Sequence, residues 1–112
     1  MNCLVLEDQQ ILLDLLGSIL ASFNEISAVF KADSIEAANN ISHDHKLDLA
    51  ILDIYLPDGH CLDLAQHLVS QHQNIKIIIL SGAAQEFACP KSLKEAIYGI
   101  IDKTDAFDAL RH

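Results

Sequence analysis

Five polar residues of this sequence have the types that a metal-assisted phosphoryl transfer requires. Each stands at the end of a short apolar run, and the five are Glu7, Asp8, Asp53, Ser81 and Lys103. An ionised aspartate can act as the nucleophile, while an ammonium and a hydroxyl can hold the anionic oxygens of the transferred group. Singly these residues are ordinary, because strand-end acids commonly cap turns and helices. Asp8, for example, would also suit the N-cap of a following helix.

The apolar runs that carry these residues predict the buried strands of a parallel sheet. The central run, 48–53, is apolar without alternation up to Asp53, which is typical of a strand covered on both faces. Patterns of helical spacing separate the runs, so strands and helices alternate, and such alternation predicts an α/β fold with a doubly wound parallel sheet. The predicted strands cover residues 3–6, 27–30, 48–53, 75–80 and 98–101.

The strand order 2-1-3-4-5 would bring the polar residues together. It makes the first and third strands neighbours, and in such sheets ligands bind outside the carboxyl ends of the strands. Glu7, Asp8 and Asp53 would then converge, and unpaired carboxylates repel one another until one takes up a proton. Magnesium removes this conflict, because it accepts one or two carboxylates and retains water and phosphate oxygens as further ligands. Lys103 would add a positive charge and Ser81 a hydroxyl donor.

Over its whole length the chain resembles the response-regulator receiver domains of two-component signalling, also called CheY-like domains. Glu7-Asp8 resembles the acidic pair of that family, and Asp53 resembles its phosphoacceptor. The turn Leu56-Pro57-Asp58-Gly59 is typical of the family, and Ser81 and Lys103 resemble its hydroxyl residue and its lysine. The resemblance implies a flavodoxin-like (βα)5 fold.

The resemblance also implies a mechanism and partners. Mg2+ would be bound by Asp8, Asp53 and the backbone carbonyl of Tyr55, with Glu7 acting through water. A histidine kinase or a phosphotransfer protein would supply the phosphoryl group to Asp53. The domain would promote its own phosphorylation and dephosphorylation without being a turnover enzyme.

The turn after Asp53 and the ending around Lys103 look most like receivers of LuxR-type transcription factors, which implies control of transcription. We therefore expect residues 1–112 to form one receiver domain, with a truncated last helix and without its C-terminal output domain.

Two features depart from the family pattern and predict an altered switch. Ile100 stands where most members carry an aromatic ring on the fifth strand, and Pro90 lies where the fourth helix normally runs. Because proline suits the first position of a helix but not its interior, we expect a short helix over 91–97 and a loop over 84–89. Phosphorylation would then be read out through Ser81 and this loop.

Two rival functions use the same residues. A metal-dependent phosphatase with an aspartyl nucleophile would need a second acid two residues after Asp53, where this chain has Tyr55. A pseudo-receiver, or a stand-alone interaction module, would fold in the same way and act by protein contact without phosphorylation.

Composition excludes several other classes of protein. The net charge is −9, from 16 acidic against 7 basic residues, so direct contact with a nucleic acid is not expected. No apolar run approaches the ~20 residues of a membrane span. The N-terminus lacks the basic region of a signal peptide. Three cysteines without C-x-x-C spacing indicate reduced thiols in a cytoplasmic protein.

The first predicted helix is more apolar than one buried face requires. Its core-facing stripe is predicted to comprise Ile11, Leu12, Leu15, Leu16, Ile19 and Phe23. Leu13 and Leu20 lie at the margins of that stripe, where they would either form a homodimer contact or pack at its edges. The six histidines show no metal-binding spacing, and we expect them to be solvated.

Overall fold

The computed structural model describes residues 1–82 and 89–104, and its centre is a parallel sheet of five strands. The strands of this sheet are β1 (Asn2–Leu6), β2 (Ala28–Ala32), β3 (Leu49–Asp53), β6 (Lys76–Ser81) and β7 (Ile97–Asp102). A separate hairpin after β3 consists of β4 (Tyr55–Leu56) and β5 (Gly59–His60). The sheet order is β2-β1-β3-β6-β7. Without the hairpin this is the predicted order 2-1-3-4-5, so the predicted doubly wound fold is confirmed.

Within the described residues, three α-helices connect the strands: α1 (Gln10–Ala21), α2 (Ile35–Asp44) and α3 (Cys61–Gln71). The predicted helix over 91–97 is wrong, because only Lys91–Leu93 form a single 3-10 turn. Ile97 instead pairs with Ile77 and begins β7, since a β-branched residue beside a sheet edge gains more from strand pairing than from a short helix. The predicted loop over 84–89 and the truncated last helix lie largely outside the described residues.

The larger hydrophobic core lies between the sheet and the helices α2 and α3. It includes Leu4, Leu52 and Ile77 from the strands and Leu64 and Leu68 from α3, all of which are almost completely buried. Strand side chains that point to the other face of the sheet form a second cluster under α1. Both faces of the central strands are therefore covered, as their unbroken apolar sequence predicts. No described helix is long and apolar enough to cross a lipid bilayer.

The orientation of α1 agrees with the prediction only in part: Leu12 of the predicted stripe is fully buried, but other positions differ. Leu13 is only 3% exposed and packs with Cys3 and Val5, while Leu20 is partly buried against the same cluster. The predicted stripe instead contains residues that face solvent, since Ile11 is 73% and Phe23 is 52% exposed. Of the two alternatives for Leu13 and Leu20, packing at the margin of the stripe is the one that the structure shows, since Leu13 is buried in this cluster and Leu20 packs against it. The homodimer contact through Leu13 is wrong.

Replacing Leu13 with alanine is expected to lower the free energy of unfolding by about 2–4 kcal/mol, since it removes buried methyl groups and leaves a cavity. The matched control is Ile11→Ala on the same helix, which should change stability by less than about 0.5 kcal/mol because Ile11 is exposed. Urea unfolding of the two variants measures the difference. Equal losses would show that α1 packs through a different face.

Candidate functional site

Strand register brings the five predicted site residues to one edge of the sheet. Leu6 pairs with Leu52, so Glu7 and Asp53, the next residue of each chain segment, lie side by side. Asp53 in turn pairs with Leu80, which precedes Ser81. Ser81 pairs with Asp102, and Lys103 follows directly after β7. All five residues therefore end adjacent parallel strands or follow directly after them, as the sheet order requires.

The centre of the site is a cluster of carboxylates with one ammonium. Glu7, Asp8 and Asp53 each offer an oxygen atom, and these atoms lie within 4.8 Å of one another. Glu7 and Asp53 are buried, whereas Asp8 is exposed. The Nζ atom of Lys103 lies 3.0 Å from Asp53 Oδ2 and 3.1 Å from Glu7 Oε2. Lys103 thus links the ends of β1 and β3 by ion pairs, but the charge of one ammonium cannot neutralise three ionised carboxylates.

Asp8 does not cap α1, so its alternative role as an N-cap is wrong. The N-cap of α1 is Gln9, which makes no side-chain capping bond. The backbone N–H of Gln9 donates to Glu7 Oε1 at 3.0 Å, so Glu7 rather than Asp8 satisfies that donor. Asp8 instead acts on Asp53, because its proximity raises the pKa of the Asp53 carboxyl.

Burial dominates the titration of the site. It raises the pKa of Glu7 to about 7, against the opposing effects of the Gln9 amide and of Lys103. It also raises the pKa of Asp53, and Lys103 offsets only part of this rise. Burial alone would lower the pKa of Lys103, but its hydrogen bonds to Asp53 and Glu7 and their charges outweigh that effect and raise it. The raised pKa values of Glu7 and Asp53 show that the site holds more carboxylates than Lys103 alone can neutralise.

The free oxygen of Asp53 is suited to a divalent cation. Within the described part of the chain, the buried Oδ1 atom of Asp53 has no hydrogen-bond partner, although Oδ2 is paired with Lys103. An unpartnered buried carboxylate oxygen is costly, and a hard cation with oxygen ligands satisfies it. The adjacent oxygens of Asp8 and Glu7 complete a donor set of the kind that such cations prefer. The residues present therefore fit a divalent metal.

Glu7 predicts an unusual dependence of stability on pH in metal-free buffer. Its pKa in the folded protein, about 7, lies above the ordinary value of 4.5, so between these values the native state holds more protons than the unfolded state. The free energy of unfolding should therefore fall as the pH rises through this window, by at most about 1.4 kcal/mol per pH unit for one group. Urea unfolding across the window measures the slope, and Glu7→Gln should flatten it. A slope unchanged in Glu7→Gln would contradict the assignment.

The hairpin β4–β5 carries the expected backbone ligand and a residue that sequence reasoning missed. Tyr55 pairs with His60, and its 53% exposed ring makes an edge contact with the His60 ring at 5.0 Å. Asp58, at the tip of the hairpin, accepts hydrogen bonds from the backbone N–H groups of Ile35 and Glu36. No local pattern predicts this contact, because it joins segments more than twenty residues apart.

The expectation that all histidines are solvated is wrong for His72. This residue is 8% exposed, and its Nδ1 atom accepts a hydrogen bond from the Leu47 backbone N–H at 3.2 Å. The proton of the neutral ring is then on Nε2, which donates to Ser42 Oγ at 2.8 Å. Because Nε2 carries the proton, His72 cannot accept a proton from Ser42. The Ser42–His72 hydrogen bond therefore supports packing rather than catalysis. The sequence signal for the burial of His72 was its spacing from Ala65 and Leu68, which places the three residues on one helical face.

Comparison with known proteins finds a matching protein family. Residues 3–112 match the family described as the response regulator receiver domain. The chain is 27% identical over 109 residues to the transcriptional regulatory protein CitB of Klebsiella pneumoniae, covering 97% of this chain and 47% of CitB. It is 30% identical over 101 residues to the transcriptional regulatory protein MalR of Bacillus subtilis, covering 90% of this chain and 42% of MalR. The chain thus spans about half the length of these relatives.

Solved structures show the same fold. The non-phosphorylated HemR receiver domain of Leptospira biflexa superposes with a TM-score of 0.76 at 24% identity, covering 98% of this chain and 90% of that one. A response regulator of Burkholderia pseudomallei, with a phosphorylated aspartic acid, a calcium ion and citrate, gives a TM-score of 0.77 at 21% identity, covering 96% and 64%. At these sequence identities the structural similarity establishes only the fold of this chain.

Proposed function

Because the chain belongs to the response regulator receiver domain family, we propose that it is a phosphoacceptor module in which Asp53 receives a phosphoryl group. One observation carries the proposal. The Asp53 carboxylate is buried at the end of the central strand, with one oxygen held by Lys103 and the other unpartnered beside Asp8. A carboxylate that is oriented by an ammonium and only partly neutralised is suited to act as a nucleophile.

Each residue of the site has a distinct role in phosphoryl transfer. An oxygen of Asp53 attacks the phosphorus, the bond from phosphorus to the donor's leaving group breaks, and an acyl phosphate forms. Lys103 holds the carboxylate in place and balances the added negative charge, and Ser81 offers a hydroxyl to a phosphoryl oxygen at the same edge. A bound Mg2+, held by Asp8, Asp53 and the Tyr55 carbonyl with Glu7 acting through water, would supply charge neutralisation.

The names of the relatives indicate the wider role. CitB and MalR are transcriptional regulatory proteins that are about twice as long as the matched region. We propose that a histidine kinase or a phosphotransfer protein phosphorylates this receiver, and that the phosphorylated form controls transcription through a separate output domain. The acidic charge of −9 supports an absence of direct nucleic-acid contact by the receiver itself. A homodimer through α1 would have to use exposed residues such as Ile11 rather than Leu13.

The pseudo-receiver alternative is not favoured, because the metal-binding acids, the acceptor and the lysine all meet at one site. A phosphatase of the aspartyl type is also disfavoured, since Tyr55 occupies the position of its second acid and directs its ring toward solvent.

Incubation with acetyl phosphate and Mg2+, followed by intact-mass measurement, tests the proposal. The expected result is one lasting, acid-labile phosphoryl adduct that does not form when the metal is chelated. Release of free phosphate without an adduct would indicate a phosphatase. No reaction in either condition would indicate a pseudo-receiver.

A further inference from the structure

We propose that Asp58 is a positioning residue that fixes the metal-binding hairpin of the site by clasping the N-terminus of α2. The inference rests on the proposed function, because it concerns the hairpin that carries the Tyr55 carbonyl, which is proposed there as a metal ligand. Asp58 Oδ1 accepts from the Ile35 N–H at 3.0 Å, and Oδ2 accepts from the Glu36 N–H at 3.1 Å. These donors belong to the first turn of α2, whose N–H groups have no partners within the helix.

The helix does not depend on Asp58 alone for its cap. Ser34 is the N-cap of α2, and its hydroxyl oxygen accepts from the Ala37 N–H at 3.1 Å. Ser34 thus serves one donor from within the helix segment, while Asp58 serves two others from a different part of the chain. The helix N-terminus also attracts a negative charge, and the two N–H donors lower the pKa of Asp58, so the clasp is ionised and intact at neutral pH.

Close packing holds the same part of the hairpin against α2. Gly59 adopts a φ of 148°, a conformation that side chains rarely allow, and an added Cβ would lie 3.2 Å from the Cδ1 atom of Ile35. The backbone of the hairpin therefore lies close to the first residue of α2, and a Cβ at position 59 would require both a strained backbone and a small shift of the Ile35 side chain. The hydrogen bonds of Asp58 and the close contact of Gly59 thus hold two neighbouring residues of the hairpin against the start of α2.

The remaining contacts of the hairpin connect it to the acceptor strand and to α3. The Cys61 N–H donates to the Ile54 carbonyl at 2.8 Å, directly after Asp53. His60 caps α3 by accepting from the Leu62 N–H through Nδ1 at 3.1 Å. The base of the hairpin is thus fixed by α3 and its tip by Asp58. Tyr55 lies between these anchors, so movement of the tip displaces the backbone that carries its carbonyl.

A purely structural role for Asp58 makes a different prediction from a positioning role. As a helix cap alone, Asp58 would contribute to stability as Ser34 does, and its loss would leave the metal site intact. As a positioning residue, its loss would also weaken metal binding, because outer partners that orient ligands typically change metal affinity by about tenfold or more.

Three variants of the full chain separate these roles. Asp58→Ala removes the clasp, Ser34→Ala removes a cap of the same helix without touching the hairpin, and Asp58→Asn removes the charge but keeps an acceptor oxygen. For each, urea unfolding in metal-free buffer measures stability, and amide chemical shifts titrated with Mg2+, without a phosphodonor, measure affinity. The initial rate of phosphorylation by acetyl phosphate at a fixed, limiting Mg2+ concentration is the third readout.

We expect similar losses of stability in Asp58→Ala and Ser34→Ala, but only Asp58→Ala should weaken Mg2+ binding, by about tenfold. Its phosphorylation should also slow, while Asp58→Asn, which keeps only one of the two acceptor oxygens, should lie between Asp58→Ala and the parent in both readouts. Equal Mg2+ affinities in Asp58→Ala and Ser34→Ala would overturn the proposal. A parent chain that binds Mg2+ but takes up no phosphoryl group would refute the proposed function alone, and the affinities would still decide the role of Asp58. A parent that binds no Mg2+ would refute both.

Discussion

A chain that carries Asp53→Asn is expected to take up no phosphoryl group from acetyl phosphate and Mg2+, although it should fold like the parent. This is the largest effect that we expect from any single substitution. An asparagine amide lacks the anionic oxygen that must attack phosphorus, and it is a poorer ligand for a hard cation. The fold should persist because the substitution is isosteric and relieves the repulsion of Asp53 by its acidic neighbours.

Intact-mass measurement and urea unfolding test both halves of this expectation. Asp63→Asn is the matched control, since Asp63 is an exposed aspartate in the first turn of α3 and lies outside the acidic cluster. The control should accept a phosphoryl group as the parent does. An adduct of equal yield in Asp53→Asn would mean that another residue is the acceptor.

Asp8→Asn should have opposite effects on stability without and with the metal. In metal-free buffer near pH 8 the variant should be more stable than the parent, by up to about 1 kcal/mol, because one exposed charge of a like-charged cluster is removed. In saturating Mg2+ the parent should be the more stable protein, since a ligand that binds only the native state stabilises it. Phosphorylation of the variant at a fixed, limiting Mg2+ concentration should fall by at least about tenfold.

Urea unfolding with chelator and with Mg2+ would reveal the crossover. The gain in the metal-free protein should shrink toward pH 5, because Glu7, whose pKa is raised to about 7, then takes up a proton and the repulsion fades. If Asp8→Asn were strongly destabilising in the absence of metal, Asp8 would hold the structure together and the cluster would not be a cation site.

The sequence by itself determined the sheet and the place of the site. Unbroken apolar runs that alternate with stretches of helical spacing favour strands buried on both faces, and parallel strands end at one edge of the sheet. Glu7, Asp53 and Lys103 therefore had to meet once the strand order was known, although they are far apart along the chain. The ion pairs of Lys103 with Glu7 and Asp53 follow from that arrangement.

Only the tertiary structure decided which residues of an apolar helix face the core. In α1 so many residues are apolar that their spacing allows more than one buried face, and contact with β1 selects the face of Leu13 over that of Ile11. The same holds for residues 91–97, where pairing of Ile97 with Ile77 outweighs a local helix signal. The clasp of Asp58 on α2 and the burial of His72 also depend on contacts between distant segments. The spacing of apolar residues shows which faces of a helix or strand could be buried, whereas contacts with neighbouring elements determine which face is buried.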